Sequence, residues 1–230
     1  MQPYLFPALG YFHLVAAADA FVFLDDVQFV RSRWTHRNRI EAGGTPLLFT
    51  VPLRGRSQNR NLDKIGLGAD YPQWRARFVK TLCHSYGKHD GARERIAAIN
   101  GLLTPGPDDT IASLASRTVR WGAGELGLAP AWHHAPALAN TGGGAAPGEA
   151  ASEAGAPRIC ALCRRLDAEQ YINMPGGRAL YDGADFARAG LELRFVEPGG
   201  SASGLSVIHE LLRHGPAEAR RRALDFALHE

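Results

Sequence analysis

Residues Ala20 to Leu24 read Ala-Phe-Val-Phe-Leu and stop abruptly at Asp25-Asp26. A continuous apolar run of this length, closed by charge, suits a strand covered on both faces, and strands of that kind belong to parallel sheets flanked by helices. The same grammar returns near the other end of the chain. A strand is predicted at Gln170 to Asn173, a helical turn through Asp185 to Arg188, a strand at Leu191 to Val196, and two closing helices, Leu205 to Arg213 and Pro216 to Leu228. Alternation at both ends of the sequence predicts an α/β fold with a mostly parallel sheet.

The middle of the chain breaks the alternation. After a strand at Pro46 to Leu53, with Lys64 to Leu67 as its short hairpin partner, the apolar period becomes helical. Trp74, Phe78, Leu82 and Cys83 line one face from Tyr71 onward, and further helices follow at Ala92 to Leu103 and Thr110 to Leu126. The expected organisation is an α/β core from residues 1–70 and 158–230, an inserted helical subdomain at 71–136, and a mobile Gly- and Ala-rich loop at 137–157. At 230 residues and 45% hydrophobic content the chain can bury a core of that size without staples. Its three cysteines, Cys83, Cys160 and Cys163, are too few for a disulfide framework, and Cys160-x-x-Cys163 has no second ligand pair, so core packing is the expected role. The opening Met1-Gln2-Pro3-Tyr4 has no secretory character and no apolar run reaches membrane-spanning length, which predicts a cytoplasmic protein that uses no membrane.

In an open parallel sheet the ligand sits at the carboxyl ends of the strands, so the polar residues just past each strand carry the functional expectation. Past the first strand come Asp25 and Asp26, then Arg37 and Arg39 amid a run that also holds His36. The paired acids can hold a metal, act as a base, or pair with Arg37 or Arg39, and they should diverge if the strand continues through them. No spacing of metal-ligand type accompanies them. At least one guanidinium is expected to clamp a phosphate or carboxylate. His36 is a candidate acid or base. Past Asn173, Gly176 and Gly177 let backbone approach a ligand and offer amide donors. The turn Glu197 to Gly204 runs into a helix beginning near Leu205, which suits either an anion site or a flexible turn with a capped helix. The adjacent His133 and His134 are expected to diverge and to be structural.

Three blocks at the start of the chain, Gln2-Pro-Tyr-Leu-Phe-Pro-Ala-Leu-Gly-Tyr11, Leu24-Asp-Asp-Val-Gln28 and Trp34-Thr-His-Arg-Asn-Arg-Ile40, resemble the signature of WbqC-like proteins. Later blocks continue the resemblance in order: Tyr171-Ile-Asn-Met-Pro-Gly-Gly177, Leu180-Tyr-Asp182, Phe186 and Leu205-Ser-Val-Ile208. The resemblance adds Gln2, Tyr4, Tyr11, Trp34, Asn38, Asn173, Tyr181 and Ser206 to the expected substrate-binding set. It implies a biosynthetic transferase acting on a small molecule, in surface-polysaccharide or specialised-metabolite biosynthesis. It also implies a few apolar residues ahead of Gln2, which would put Met1 inside a first strand. A weaker similarity to nucleotidylyltransferases and class I synthetase cores implies a nucleotide-binding, Rossmann-like sheet. The two histidines that serve such enzymes are replaced here by Ala8 and Tyr11, which disfavours ordinary nucleotidyl transfer.

Three functions fit these residues. The first is amide formation by acyl or aminoacyl transfer to an amine, with Asp25 or Asp26 as base and Arg37 and Arg39 on an anionic or phosphate-bearing small molecule. An aminoacyl-tRNA donor would then meet the basic helix faces of Arg75, Arg77 and Lys80. The second is a nucleotide-dependent adenylating or nucleotidylating enzyme, and the third a non-catalytic scaffold of a biosynthetic assembly. No cofactor is specified by any motif.

Overall fold

The computed structural model describes residues 1–55, 57, 59–140, 155–200 and 203–230. After an opening segment that bends at Leu5 and Phe6 the chain enters α1 (Leu9–Ala17) and then β1 (Ala20–Phe23), the strand that the apolar run predicts. Two antiparallel hairpins follow. β2 (Arg37–Ala42) pairs with β3 (Thr45–Thr50), and β4 (Leu53–Arg54) pairs with β5 (Gly66–Leu67). The turn joining β2 to β3 is Gly43-Gly44 with φ of 59° and 78°, the left-handed pair that a two-residue hairpin turn requires. Arg37, Asn38 and Arg39 are therefore strand residues.

The helical run comprises α2 (Tyr71–Tyr86), α3 (Ala92–Leu102) and α4 (Ile111–Glu125). Thr110 starts α4 with a capping box, exchanging hydrogen bonds with Ser113. Tyr71, Phe78, Leu82 and Tyr86 make the buried face of α2, while Cys83 is exposed, one position off the stripe on which it was expected. The chain then returns to the strand layer as β6 (Ala131–His134) and continues into α5 (Ala135–Asn140). The loop expected at 137–157 is helical at both flanks, in α5 and in α6 (Ala156–Arg165), and its middle, 141–154, lies outside the described residues. The remaining elements are β7 (Gln170–Asn173), α7 (Gly183–Arg188), β8 (Glu192–Pro198), α8 (Val207–Ala223) and β9 (Phe226–His229). α8 breaks at Gly215 (φ 79°), just before Pro216, where two helices were expected. The end of the chain is a strand and not a helix, since Phe226 and Leu228 alternate inward along it.

One continuous cluster joins α1, β1, the helical run and α8, with Phe12, Phe23, Leu114, Val119, Ile208 and Leu211 fully buried in it. A smaller cluster lies between α6, α7 and β8, built on Ile159, Cys163, Phe186 and Leu191. The expected α/β class is observed, while a mostly parallel, Rossmann-like sheet is not seen among the described residues. The described residues form a mixed α/β structure of small sheets, in which parallel pairing is confined to β1 with β6 and β7 with β8, and β9 runs antiparallel to β8. The physical reason is that β1 and β7 are both end strands, with no backbone ladder joining them.

Helix α4 approaches α1 closely because residue 122 is glycine. A Cβ there would lie 2.6 Å from Cζ of the buried Phe12. Gly122→Val is expected to destabilise the protein by about 1–3 kcal/mol through overpacking, which the helix-propensity gain of roughly 0.5 kcal/mol does not offset. A melting curve showing no loss would contradict this packing.

Candidate functional site

The parallel pairing of β1 with β6 sets Phe23 opposite His134, so the carboxyl ends of two strands lie side by side. Asp25, just past β1, accepts a hydrogen bond at Oδ2 from Nδ1 of His134 at 2.6 Å. Trp132 and His134 share one face of β6 by strand alternation. There Phe23 stacks on Trp132 with an interplanar angle of 6° and touches the His134 ring at a centroid distance of 5.3 Å. Arg120 of α4 lies over Phe23 and Trp132, 5.8 Å from each ring centroid, and brings Nη2 to 3.1 Å from Nε2 of His134. A guanidinium can only donate, so in this contact Nε2 is the acceptor and Nδ1 presents its proton to Asp25. Asp25 is 14% exposed and His134 35%, which leaves the Nε2 edge reachable while the carboxylate stays sheltered. The Asp25 Oδ1 atom is buried with no hydrogen-bond partner among the described residues.

Asp26 turns away, as alternation predicts, and takes a bidentate contact from Nη2 of Arg158 at 2.6 and 2.7 Å. Arg158 sits in the first turn of α6, so this ion pair ties the start of that helix to the end of β1. The partners of the two acids are thus His134 and Arg158, not Arg37 or Arg39 as weighed from the sequence. Those two guanidiniums flank Trp34 at 5.6 and 5.4 Å from its ring centroid, and Arg37 also donates to the Ser32 carbonyl.

Several other expected residues hold the opening segment in place. Asn38 is buried and donates to the carbonyls of Leu5 and Phe6 at 3.2 and 2.8 Å, while its Oδ1 accepts from the Arg39 amide at 2.9 Å. Ser206 donates to the Phe6 carbonyl at 2.7 Å and accepts from the Ile208 amide, which caps α8. Phe6 itself has φ 41°, a left-handed value for a bulky residue. The Tyr11 hydroxyl donates to the Gln2 carbonyl at 2.9 Å, and Tyr4 packs on Tyr11. Burial pushes both phenols above the usual range. His36 is buried, edge-on to Phe29. Asn173 accepts from the Met174 amide, and Gly177 fits so closely against it that a Cβ would come within 2.3 Å of its Nδ2. Gly176 has open space around it, and Tyr181 packs on Tyr171 and Phe186 in the smaller cluster. In the turn at 197–204, residues 201–202 lie outside the described residues.

His134, Arg120 and Arg158 are the members of this constellation that sequence reasoning missed. The available signal was a four-residue segment after Pro130, matching β1 in length and ending in His as β1 runs into Asp. Among the described residues no group of three or more His, Cys, Asp or Glu is disposed to hold a metal ion, and no helix is long and apolar enough to cross a membrane.

Cys160 and Cys163 are buried on α6. Burial raises both thiols, Cys163 to about 11, so neither supplies a thiolate near neutral pH. Iodoacetamide at pH 8 is therefore expected to alkylate the exposed Cys83 and to spare the other two in the folded protein, with all three reacting in denaturant. Peptide mapping that finds Cys163 modified as fast as Cys83 would refute this.

A model of the WbqC-like protein family matches residues 2–220. Among curated proteins, the chain is similar to the uncharacterized protein Rv1507c of Mycobacterium tuberculosis (strain ATCC 25618 / H37Rv), with 26% identity over 192 residues, covering 79% of this chain and 74% of that protein. No solved structure matches the chain.

Proposed function

The chain belongs to the WbqC-like protein family, and from that premise we propose that it is a biosynthetic transferase that forms an amide, passing an acyl or aminoacyl group to the amine of an anionic small molecule. The observation that carries the reading is the line Asp25, His134, Arg120, with contacts of 2.6 and 3.1 Å on the two ring nitrogens. An acceptor amine must lose a proton as its nitrogen bonds to the acyl carbon. His134 Nε2 is the base for that proton, and Asp25 fixes the tautomer and steadies the imidazolium that forms. The same proton then returns to the leaving oxygen or sulfur of the donor as its bond to the acyl carbon breaks. Arg120, exposed and held by ring stacking and its one contact to Nε2, can leave that nitrogen and take a substrate phosphate or carboxylate with its planar fork. Asp26 is engaged by Arg158 and serves position, not proton transfer. Exposed Arg77 and Lys80 on α2 offer phosphate contacts if the donor is an aminoacyl-tRNA.

The test is a mass-spectrometric assay with a nucleotide-linked amino sugar as acceptor and three donors in parallel: an acyl thioester, an acyl adenylate and a charged tRNA. The expected result is a mass gain equal to the acyl group with one donor, abolished in His134→Ala. A tRNA donor would add a steep fall of rate with salt. A product formed equally well by His134→Ala would sink the assignment of the base.

A further inference from the structure

The arginines of the helical run and of the site differ in what neutralises them. Arg117, one turn before Arg120 on the same side of α4, donates to both oxygens of Asp109 at 3.1 and 2.9 Å. Arg95 of α3 holds Glu125 at 3.1 Å, and Arg158 holds Asp26. Arg120 has no carboxylate within ion-pair distance among the described residues. Its head group rests instead on the rings of Phe23 and Trp132 and on the Nε2 edge of His134. An exposed guanidinium placed in this way keeps an uncompensated charge and a largely unfilled fork, and an oxyanion satisfies both.

The resting place of this side chain has a chemical cost. His134 would take a proton with the lone pair of Nε2, and a nitrogen that accepts from a guanidinium has that lone pair occupied. Nδ1 offers no substitute, because it carries the hydrogen presented to Asp25 at 2.6 Å. With Arg120 in place the base is therefore masked. An oxyanion reverses the balance, since two charge-assisted bonds in a planar fork outweigh a single bond to an uncharged ring nitrogen. Stacking at an exposed site is too weak to oppose the exchange.

We infer that Arg120 is an oxyanion-operated gate on His134: a phosphate or carboxylate must engage the guanidinium before Nε2 opens to the acceptor amine. The inference rests on the role of His134 as base proposed above, and adds a compulsory order of events to it. Recognition of the anion and release of the base become one motion. An amine that carries no anion meets a masked base even when it reaches the site, so discrimination against neutral amines falls in the rate of proton removal as well as in binding. A separate oxyanion supplied beside a neutral amine opens the gate in place of the missing group.

Diethyl pyrocarbonate acylates accessible, unprotonated imidazole nitrogens, so it reads Nε2 directly, whether or not any transfer reaction is observed. Its rate at His134 is followed by peptide mapping at neutral pH, relative to the exposed His84, in chloride and in inorganic phosphate at equal ionic strength. Phosphate is expected to raise the rate in the parent protein roughly tenfold, the population change that one net hydrogen bond to a charged group supports. Arg120→Ala is expected to react at the raised rate in both salts, and because the side chain is exposed its loss leaves the fold intact. A parent rate that phosphate leaves unchanged, or an Arg120→Ala rate as low as the parent's in chloride, overturns the gate. A phosphate response in a protein that forms no amide would uphold the gate and remove the reaction, whereas an amide formed through His134 with no phosphate response would remove the gate alone.

Discussion

His134→Ala is expected to slow the proposed transfer by roughly 10²–10⁴-fold, the usual worth of a positioned general base, while the melting temperature stays close to that of the parent, because the ring is 35% exposed and leaves no large void. Asp25→Asn makes the sharper test, since it changes few atoms. The carboxamide can present a donor to Nδ1, which drives the ring proton to Nε2, where it blocks base catalysis and faces the Arg120 donors. A loss in kcat of the same order is expected, with KM for the acceptor nearly unchanged. Arg120→Ala should show the opposite split, raising KM for an anionic acceptor more than it lowers kcat. Full activity in both His134→Ala and Asp25→Asn would mean that the contact at 2.6 Å only fastens β6 to β1.

The second large effect concerns stability. Asn38→Ala removes the donor to the Leu5 carbonyl and the acceptor of the Arg39 amide, while the Phe6 carbonyl keeps its bond from Ser206. Two backbone groups left unpaired at about 1–3 kcal/mol each cost roughly 2–6 kcal/mol, and the melting temperature should fall by roughly 5–20 °C. Ser206→Ala alone should cost less, about 0.5–2 kcal/mol for the helix cap. The double variant should exceed the sum, because the Phe6 carbonyl then loses both partners. Unaltered melting with lost activity would instead identify Asn38 as a substrate contact.

The two expected roles of Asn38 and Ser206 show where sequence reading stops. Both are polar residues in segments that border predicted strand ends, so a ligand is the natural assignment. Nothing local reveals that the opening segment bends through a left-handed Phe6 and turns its carbonyls toward them. β1, β7 and β8 are legible because apolar runs and alternation are local signals. β6 is not, since Ala-Trp-His-His has no apolar run, and β9 is hidden by its continuity with a helical pattern. The partners of the two acids are less legible still, because register between parallel strands is a tertiary property and spacing along the chain carries no trace of it. The family resemblance was readable from the blocks at residues 2–11 and 171–177, and the match over residues 2–220 extends it through the helical run.

Asp25 and His134 are 109 positions apart, with the whole helical run between them. A nascent chain therefore carries its carboxylate out of the ribosome long before the imidazole exists to be oriented, and Arg158 emerges later again. Catalytic competence, on this reading, arrives in one late step of synthesis, after α2, α3 and α4 have docked. Translation products halted within those helices would be inert toward substrate instead of partly active.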